Sequence, residues 1–304
     1  MKRRFQKHEF IFSNPLFKQI CESHRHDFFA PYNQIGEVYQ LLPQEHLWRF
    51  DTEYSIIALS EDASIPELQS HINEVSNAYM NDLRVTILGL GWKCEELTAN
   101  AINSINKGHY LSAAVLARSI LEATVVSASL YARLCEADAQ IKQTGDFVKF
   151  LQNLHENTRK ILWGRRYKTR VPTIQTSNIL SHMETYKKLK IMEASSDKYF
   201  DDVYEFLSNV AHPSADGHQF FWQILNNSYE NESKPHWIQL RNSNRSDLEY
   251  LEQFIFSIGW SLTFSAAKIT RIWDLIKDFE FEQRVVTRSD FQKYKQETYR
   301  KVQE

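Results

Sequence analysis

Between Tyr110 and Glu136 the chain reads YLSAAVLARSILEATVVSASLYARLCE, and the first twenty of these residues carry two charges, Arg118 and Glu122. Ala, Leu, Val and Ile at every angle around a helical wheel predict a helix buried on all faces. The two charges stand at i and i+4, so they share one face. An isolated ion in apolar surroundings costs several kcal/mol even after relaxation, so each must be paired or hydrogen-bonded. Arg118 and Glu122 are therefore either a structural pair or part of a site, and the pattern leaves both open.

The rest of the composition agrees with a helical protein. A chain of 304 residues suits one large domain or two unequal ones. Eight glycines and seven prolines are few for that length and favour long helices over a glycine-punctuated α/β fold. A formal net charge of −2 excludes a protein that is basic overall, so any nucleic-acid contact needs a local basic patch. Three scattered cysteines, Cys21, Cys94 and Cys135, fit a reducing compartment. The start, MKRRFQKHEFIF, has no apolar core or small-residue cleavage site and predicts no signal peptide. The longest uncharged apolar run, about 253–267, is short for a bilayer. The expectation is a soluble cytoplasmic protein without membrane contact.

Residues 1–65 read as an irregular segment that wraps or caps a helical body, broken by Pro15, Pro31 and Pro43, with a strand-like run at Tyr54–Leu59. Cys21, His24, His26 and Asp27 resemble metal ligands, but zinc sites usually draw on two such clusters and no second is found, so chance surface residues are expected and no metal or cofactor. From Pro66 apolar residues recur at helical spacing through Ile72, Val75, Tyr79, Leu83, Ile87 and Leu90. The LGLG at Leu88–Gly91 lacks the third glycine of a dinucleotide fingerprint and is expected to bend the helix. A further helix, Cys94–Asn106, is expected to end at Lys107-Gly108.

Beyond Glu136 a helix is expected over about 146–162, running into RKILWGRRYKTR. Its six basic residues, Arg159, Lys160, Arg165, Arg166, Lys168 and Arg170, accompany Trp163 and Tyr167 and no acid. Such a stretch is either a phosphate-neutralising, base-stacking RNA contact or a solvated loop. Helices are expected at about 177–190 and 195–211. The second carries Phe200, Val203, Tyr204, Leu207 and Val210 as its apolar stripe, with Glu205, Ser208, Asn209 and His212 on a neighbouring face. Pro213 ends that helix at His212. QFFWQIL and HWIQL, about 219–240, predict a β-hairpin with a long polar loop. A last long helix opens at Ser246-Asp247, and 281–304 forms a charged tail.

Two stretches now stand in a helical context, ARSILEA at Ala117–Ala123 and LSNVAHPS at Leu207–Ser214. Together they resemble bacterial HEPN-like proteins, helical domains of toxin–antitoxin, abortive-infection and other antiphage modules, over roughly 87–277. The resemblance implies a mainly α protein: an HEPN-like helical bundle spanning 66–280 with the hairpin as an insertion, forming a homodimer and acting with a partner protein from the same operon. For active members it implies metal-independent RNA cleavage, in which the 2′-hydroxyl attacks the adjacent phosphate. By that resemblance His212 moves protons, Arg118 steadies the phosphate, Glu122 and Asn209 orient them, and Arg159–Arg170 holds RNA.

The chain departs from the family at one point. Active members carry Arg with four to six residues intervening before the His, where this chain has Glu205, Phe206 and Leu207. Arg118 would have to supply the cation. The alternative is a non-catalytic interaction module whose helical body and aromatic-rich hairpin, Phe220–Trp237, bind a partner protein. No nucleophile elbow, Walker loop or HExxH motif is present, and the adjacent carboxylates Asp201-Asp202 and Glu95-Glu96 diverge on their helices.

Overall fold

The structure is a computed structural model. It describes residues 9–47, 64–143, 199–211, 222–224, 238–240 and 248–281, together with single positions 158, 161, 182, 184, 185, 287, 289 and 292. The protein is mainly helical. In chain order the described elements are α1 (Pro15–Ser23), a 3-10 turn (Tyr32–Gln34), α2 (Ile35–Tyr39), α3 (Ile65–Asn106), α4 (Tyr110–Gln143), α5 (Phe200–Ala211), strands β1 (Trp222–Ile224) and β2 (Ile238–Leu240), and α6 (Leu248–Ile276). The strands pair antiparallel, Gln223 opposite Gln239. The strand-like run at 54–59 and nearly all of 146–162 and 177–190 lie outside the described residues.

The chain divides into two compact units. One comprises Met1–Leu42, Gly91–Thr124 and Met192–Thr270, and the other Pro43–Leu90, Val125–Ile191 and Arg271–Glu304.

In the first unit the N-terminal segment is more regular than expected, because its prolines begin turns instead of breaking them. Pro15 opens α1, capped by Asn14, whose Oδ1 accepts from the Phe17 amide at 3.0 Å. The Asn14 Nδ2 donates to the Ile105 carbonyl at 2.9 Å and to the Tyr110 hydroxyl at 2.8 Å. Asn106 returns the contact: its Oδ1 accepts from Ser13 N at 2.8 Å and its Nδ2 donates to Ile11 O at 2.6 Å. Two asparagines thus tie the start of α1 to the α3–α4 turn. The Tyr39 hydroxyl meets Thr98 Oγ1 at 3.1 Å in the interior. Phe264 stacks on Trp260 with ring centroids 4.5 Å apart and meets Phe200 of α5 at 6.1 Å.

Helix α3 begins with a capping box. Ser64 Oγ accepts from Glu67 N at 3.4 Å while a Glu67 carboxylate oxygen takes the Ser64 amide at 2.6 Å. The helix is not interrupted at Leu88–Gly91 and does not restart at Cys94: α3 is one helix of 42 residues through both glycines. Gly91 is closely packed: a Cβ there would lie 2.8 Å from Leu42 Cδ1 and 3.1 Å from Ile269 Cγ2. The helix ends where the sequence indicated. Gly108 takes φ 73°, its amide donates to Ile105 O at 2.9 Å, and the His109 amide donates to Ser104 O at 2.8 Å. That paired closure, with glycine in the left-handed region, satisfies the last carbonyls.

Of the stripe read on α5, Phe200, Val203, Leu207 and Val210 are buried and Tyr204 is half-buried; on α6, Phe254, Ile255, Ile258, Leu262, Ile269, Ile272 and Ile276 are buried. On α3 the same reading holds for Tyr79, Leu83 and Ile87, whereas Ile72, Val75 and Leu90 are half-buried.

In the second unit Arg84 closes the end of α6, its Nε donating to Ile276 O at 3.1 Å and its Nη2 to Phe279 O at 2.7 Å. A cation at a helix C-terminus satisfies unpaired carbonyls and opposes the dipole.

Helix α4 differs from expectation. Its stretch Tyr110–Ala139 is long and apolar enough to cross a membrane by length and composition, and 56% of its most apolar window is buried inside the protein. It is not covered on all sides. Ser112 and Val115 are exposed, and Leu116, Arg118, Ser119, Glu122 and Val126 are half-buried along the same side. Alanine and valine say only that a face tolerates burial; the partner decides whether it is buried.

Candidate functional site

Helices α4 and α5 meet around three side chains of the first unit. Arg118 Nε donates to Glu122 Oε1 at 3.1 Å, the i,i+4 pair that helical geometry predisposes. The hydroxyl of Tyr204, on α5, donates to the same carboxylate oxygen at 3.3 Å, and the Arg118 guanidinium carbon lies 6.0 Å from the centre of the Tyr204 ring. Glu122 therefore accepts from two helices at once, while the phenol ring flanks the cation at the outer range of a cation–π contact.

The burial corrects the picture of an arginine sunk in the core. The Arg118 and Glu122 side chains are 22% and 31% exposed. Water therefore carries part of their solvation, and a pair of this kind contributes about 0.3–0.5 kcal/mol. The consequence for chemistry is in the guanidinium fork. Arg118 spends Nε on Glu122, and neither Nη nitrogen takes part in a hydrogen bond among the described residues. Two N–H-bearing nitrogens held in a plane and partly open to solvent match the oxygens of a phosphate or carboxylate.

Tyr204 was read from the sequence only as part of an apolar stripe. The available signal was its hydroxyl: a tyrosine among Phe, Val and Leu needs a partner for its O–H wherever the stripe meets a polar group. Asn209 lies half-buried in the last turn of α5. His212 follows α5 in sequence and lies outside the described residues, as do Arg159, Lys160, Arg165, Arg166, Lys168 and Arg170. Phe206, at one of the positions where active HEPN proteins carry Arg, packs edge-on against Phe254 and Tyr250, with centroids 5.3 and 5.8 Å away. That position is occupied by an aromatic packed against α6.

The cluster Cys21, His24, His26 and Asp27 does not converge on a point. His24 Nδ1 pairs with Asp27 Oδ2 at 3.3 Å, and Asp27 Oδ1 accepts from the Tyr199 hydroxyl at 2.7 Å. Cys21 is not a surface residue as expected but 1% exposed, and burial, reinforced by Glu22, pushes its thiol well above the ordinary range. Cys94 is fully buried and its thiol is pushed up to about 12 for the same reason, so neither is a reactive thiolate. Among the described residues no group of three His, Cys, Asp or Glu side chains is placed to hold a metal ion.

No family model matches this chain, and no curated protein or solved structure matches it either.

Proposed function

We propose that this chain is an HEPN-like effector of a bacterial defence or toxin–antitoxin system that acts on RNA in the cytoplasm without a metal. The reading takes the fold as an HEPN-like bundle with the β1–β2 pair as a hairpin insertion. The observation that carries it is the Arg118–Glu122–Tyr204 contact, which joins the helix bearing ARSILEA to the helix that leads into His212, with neither Arg118 Nη nitrogen hydrogen-bonded among the described residues. In this reading Arg118 steadies the negative phosphate oxygens, worth a hundredfold or more in rate for a well-placed donor. His212 serves as general base toward the 2′-hydroxyl and then as general acid toward the leaving 5′-oxygen, worth roughly 10²–10⁴. Glu122 orients Arg118, Asn209 orients His212, and the basic residues of 159–170 neutralise flanking phosphates. A homodimer and a partner protein from the same operon belong to the same proposal.

The test is His212→Ala in the full chain, with fold checked by thermal unfolding. Loss of RNA cleavage in the presence of a chelator, or of toxicity on expression, supports the role; equal activity in both proteins refutes it.

A second reading is favoured by Phe206, which packs against α6 where a catalytic arginine would stand. There the chain is a non-catalytic module that binds a partner protein, with Arg118 and Glu122 only tying α4 to α5. RNA binding across a salt series separates the two, since phosphate contacts give a steep dependence on salt and a protein-only module gives none.

A further inference from the structure

A cleft of about 590 Å³ opens in the first unit where the chain passes from α1 to the 3-10 turn, a volume within the range of small-molecule sites. Glu22, Arg25, Phe28, Phe29, Tyr32 and Asn33 all line it. Its aromatic side is backed by α6. Phe28 meets Phe256 with ring centroids 5.9 Å apart, Phe29 meets Phe264 at 5.9 Å, and a Cβ at Gly259 would lie 3.1 Å from Phe28 Cε1 and 3.0 Å from Cys21 Sγ. Tyr32 is held by the N-terminal segment, edge-on to Phe12 at 5.4 Å and to Phe17 at 6.2 Å. The rings are therefore in place before a ligand arrives, which removes an ordering cost from binding.

The polar groups are braced as well. The Tyr32 hydroxyl donates to Glu22 Oε1 at 3.1 Å, which leaves the second carboxylate oxygen without a hydrogen bond among the described residues. Arg25 donates through Nε to His26 Nε2 at 3.3 Å, and neither of its Nη nitrogens is hydrogen-bonded among the described residues. Asn33 adds an exposed amide. The cleft thus combines an acceptor oxygen, a cationic fork, an amide and aromatic rings.

Phe29 decides between the ligands such a set could suit. The ammonium of Lys268, itself 2% exposed, lies 4.6 Å from the centre of the Phe29 ring and 5.5 Å from that of Phe264. A cation on one face of a ring makes the rest of that ring a poor seat for a second cation. Phe29 is 41% exposed, so part of it remains open to an uncharged, electron-rich ring. A quaternary ammonium among the aromatics is thereby disfavoured. The ligand must bring a planar ring for Phe29, donors for Glu22 and an anionic group for Arg25. A nucleoside monophosphate has all three: ribose hydroxyls donate to a carboxylate, a guanidinium fork matches phosphate oxygens, bases stack on aromatic side chains, and an amide pairs with a base edge. An aromatic amino acid could place its two charges on Glu22 and Arg25, but it would leave much of this volume to water.

We infer that the cleft is a mononucleotide site, in which the base stacks on Phe29, Glu22 accepts from a ribose hydroxyl and Arg25 takes the phosphate. It draws on none of the residues invoked for RNA cleavage and does not rest on that reading.

The test is calorimetric titration of the full chain with adenosine monophosphate, adenosine or tryptophan at fixed ionic strength. The expected result is saturable binding of the monophosphate, with adenosine weaker by about tenfold for the missing charge-assisted contact. Arg25→Met should weaken the monophosphate by about the same factor, so that it and adenosine bind alike, and Glu22→Gln should weaken both. Both side chains are exposed, so both variants fold as the wild type does, which thermal unfolding checks. No saturable binding of the monophosphate, adenosine binding as tightly as the monophosphate, tryptophan binding more tightly than either, or a monophosphate affinity that survives both substitutions overturns the site.

Discussion

Replacing Gly89 and Gly91 by alanine, one at a time, separates a continuous helix from a bent one. Both glycines lie inside α3, where alanine is favoured over glycine by about 0.8–1.0 kcal/mol. At Gly89 a new Cβ meets nothing within 4 Å. The whole of that gain is then realised, and Gly89→Ala stabilises the protein by about 1 kcal/mol. At Gly91 the Cβ would sit 2.8 Å from Leu42 Cδ1 and 3.1 Å from Ile269 Cγ2, well inside the roughly 3.5–4.0 Å of an optimal carbon contact. Leu42 is 2% exposed and Ile269 0%, so neither has free space to move into. Overpacking of this kind costs about 1–3 kcal/mol, which meets or exceeds the helix gain. The difference between the two variants isolates the packing cost, since the propensity term cancels. Urea unfolding of the two proteins beside the wild type measures it. The expected order is Gly89→Ala, then wild type, with Gly91→Ala at or below it. Equal destabilisation by both substitutions, as a glycine-dependent bend would produce, refutes the reasoning.

Other expected outcomes follow from single contacts. His182 is held at about 4 against an ordinary 6.5, so its contribution is complete above pH 6.5 and is lost as pH falls toward 4. Between pH 6.5 and 5 the wild type should lose about 2 kcal/mol that His182→Gln does not, by urea unfolding at each pH. Ser64→Ala removes the cap of α3 and should cost about 0.5–2 kcal/mol, read in the same assay. A double-mutant cycle of Arg118→Met with Glu122→Gln should give a coupling below about 1 kcal/mol, because both side chains are partly solvated. A larger coupling would mean that the pair is held for stability.

The sequence disclosed what repeats and what stops. Phe200, Val203, Leu207 and Val210 recur at helical spacing, and Lys107-Gly108 is a helix end because glycine alone enters the left-handed region without strain. It did not disclose how tightly a glycine is packed: Gly91 reads as a bend, whereas Leu42 and Ile269, remote in sequence, crowd the place of a Cβ. The exposure of Ser112 and Val115 was hidden for a related reason, since small apolar residues fit a core and a surface alike. Tyr204 and the Ser129–His182 contact were illegible because each depends on a partner 82 or 53 residues away. Arg118 with Glu122 was visible because its geometry is local.

The central claim is that Arg118 offers its fork to a phosphate, and RNA cleavage by Arg118→Met in the presence of a chelator tests it most directly. The account expects wild type to cut RNA and leave 2′,3′-cyclic phosphate ends, and the variant to be slower by a hundredfold or more with thermal stability nearly unchanged. Cleavage at the wild-type rate by the variant, or no cleavage by either protein, would contradict it.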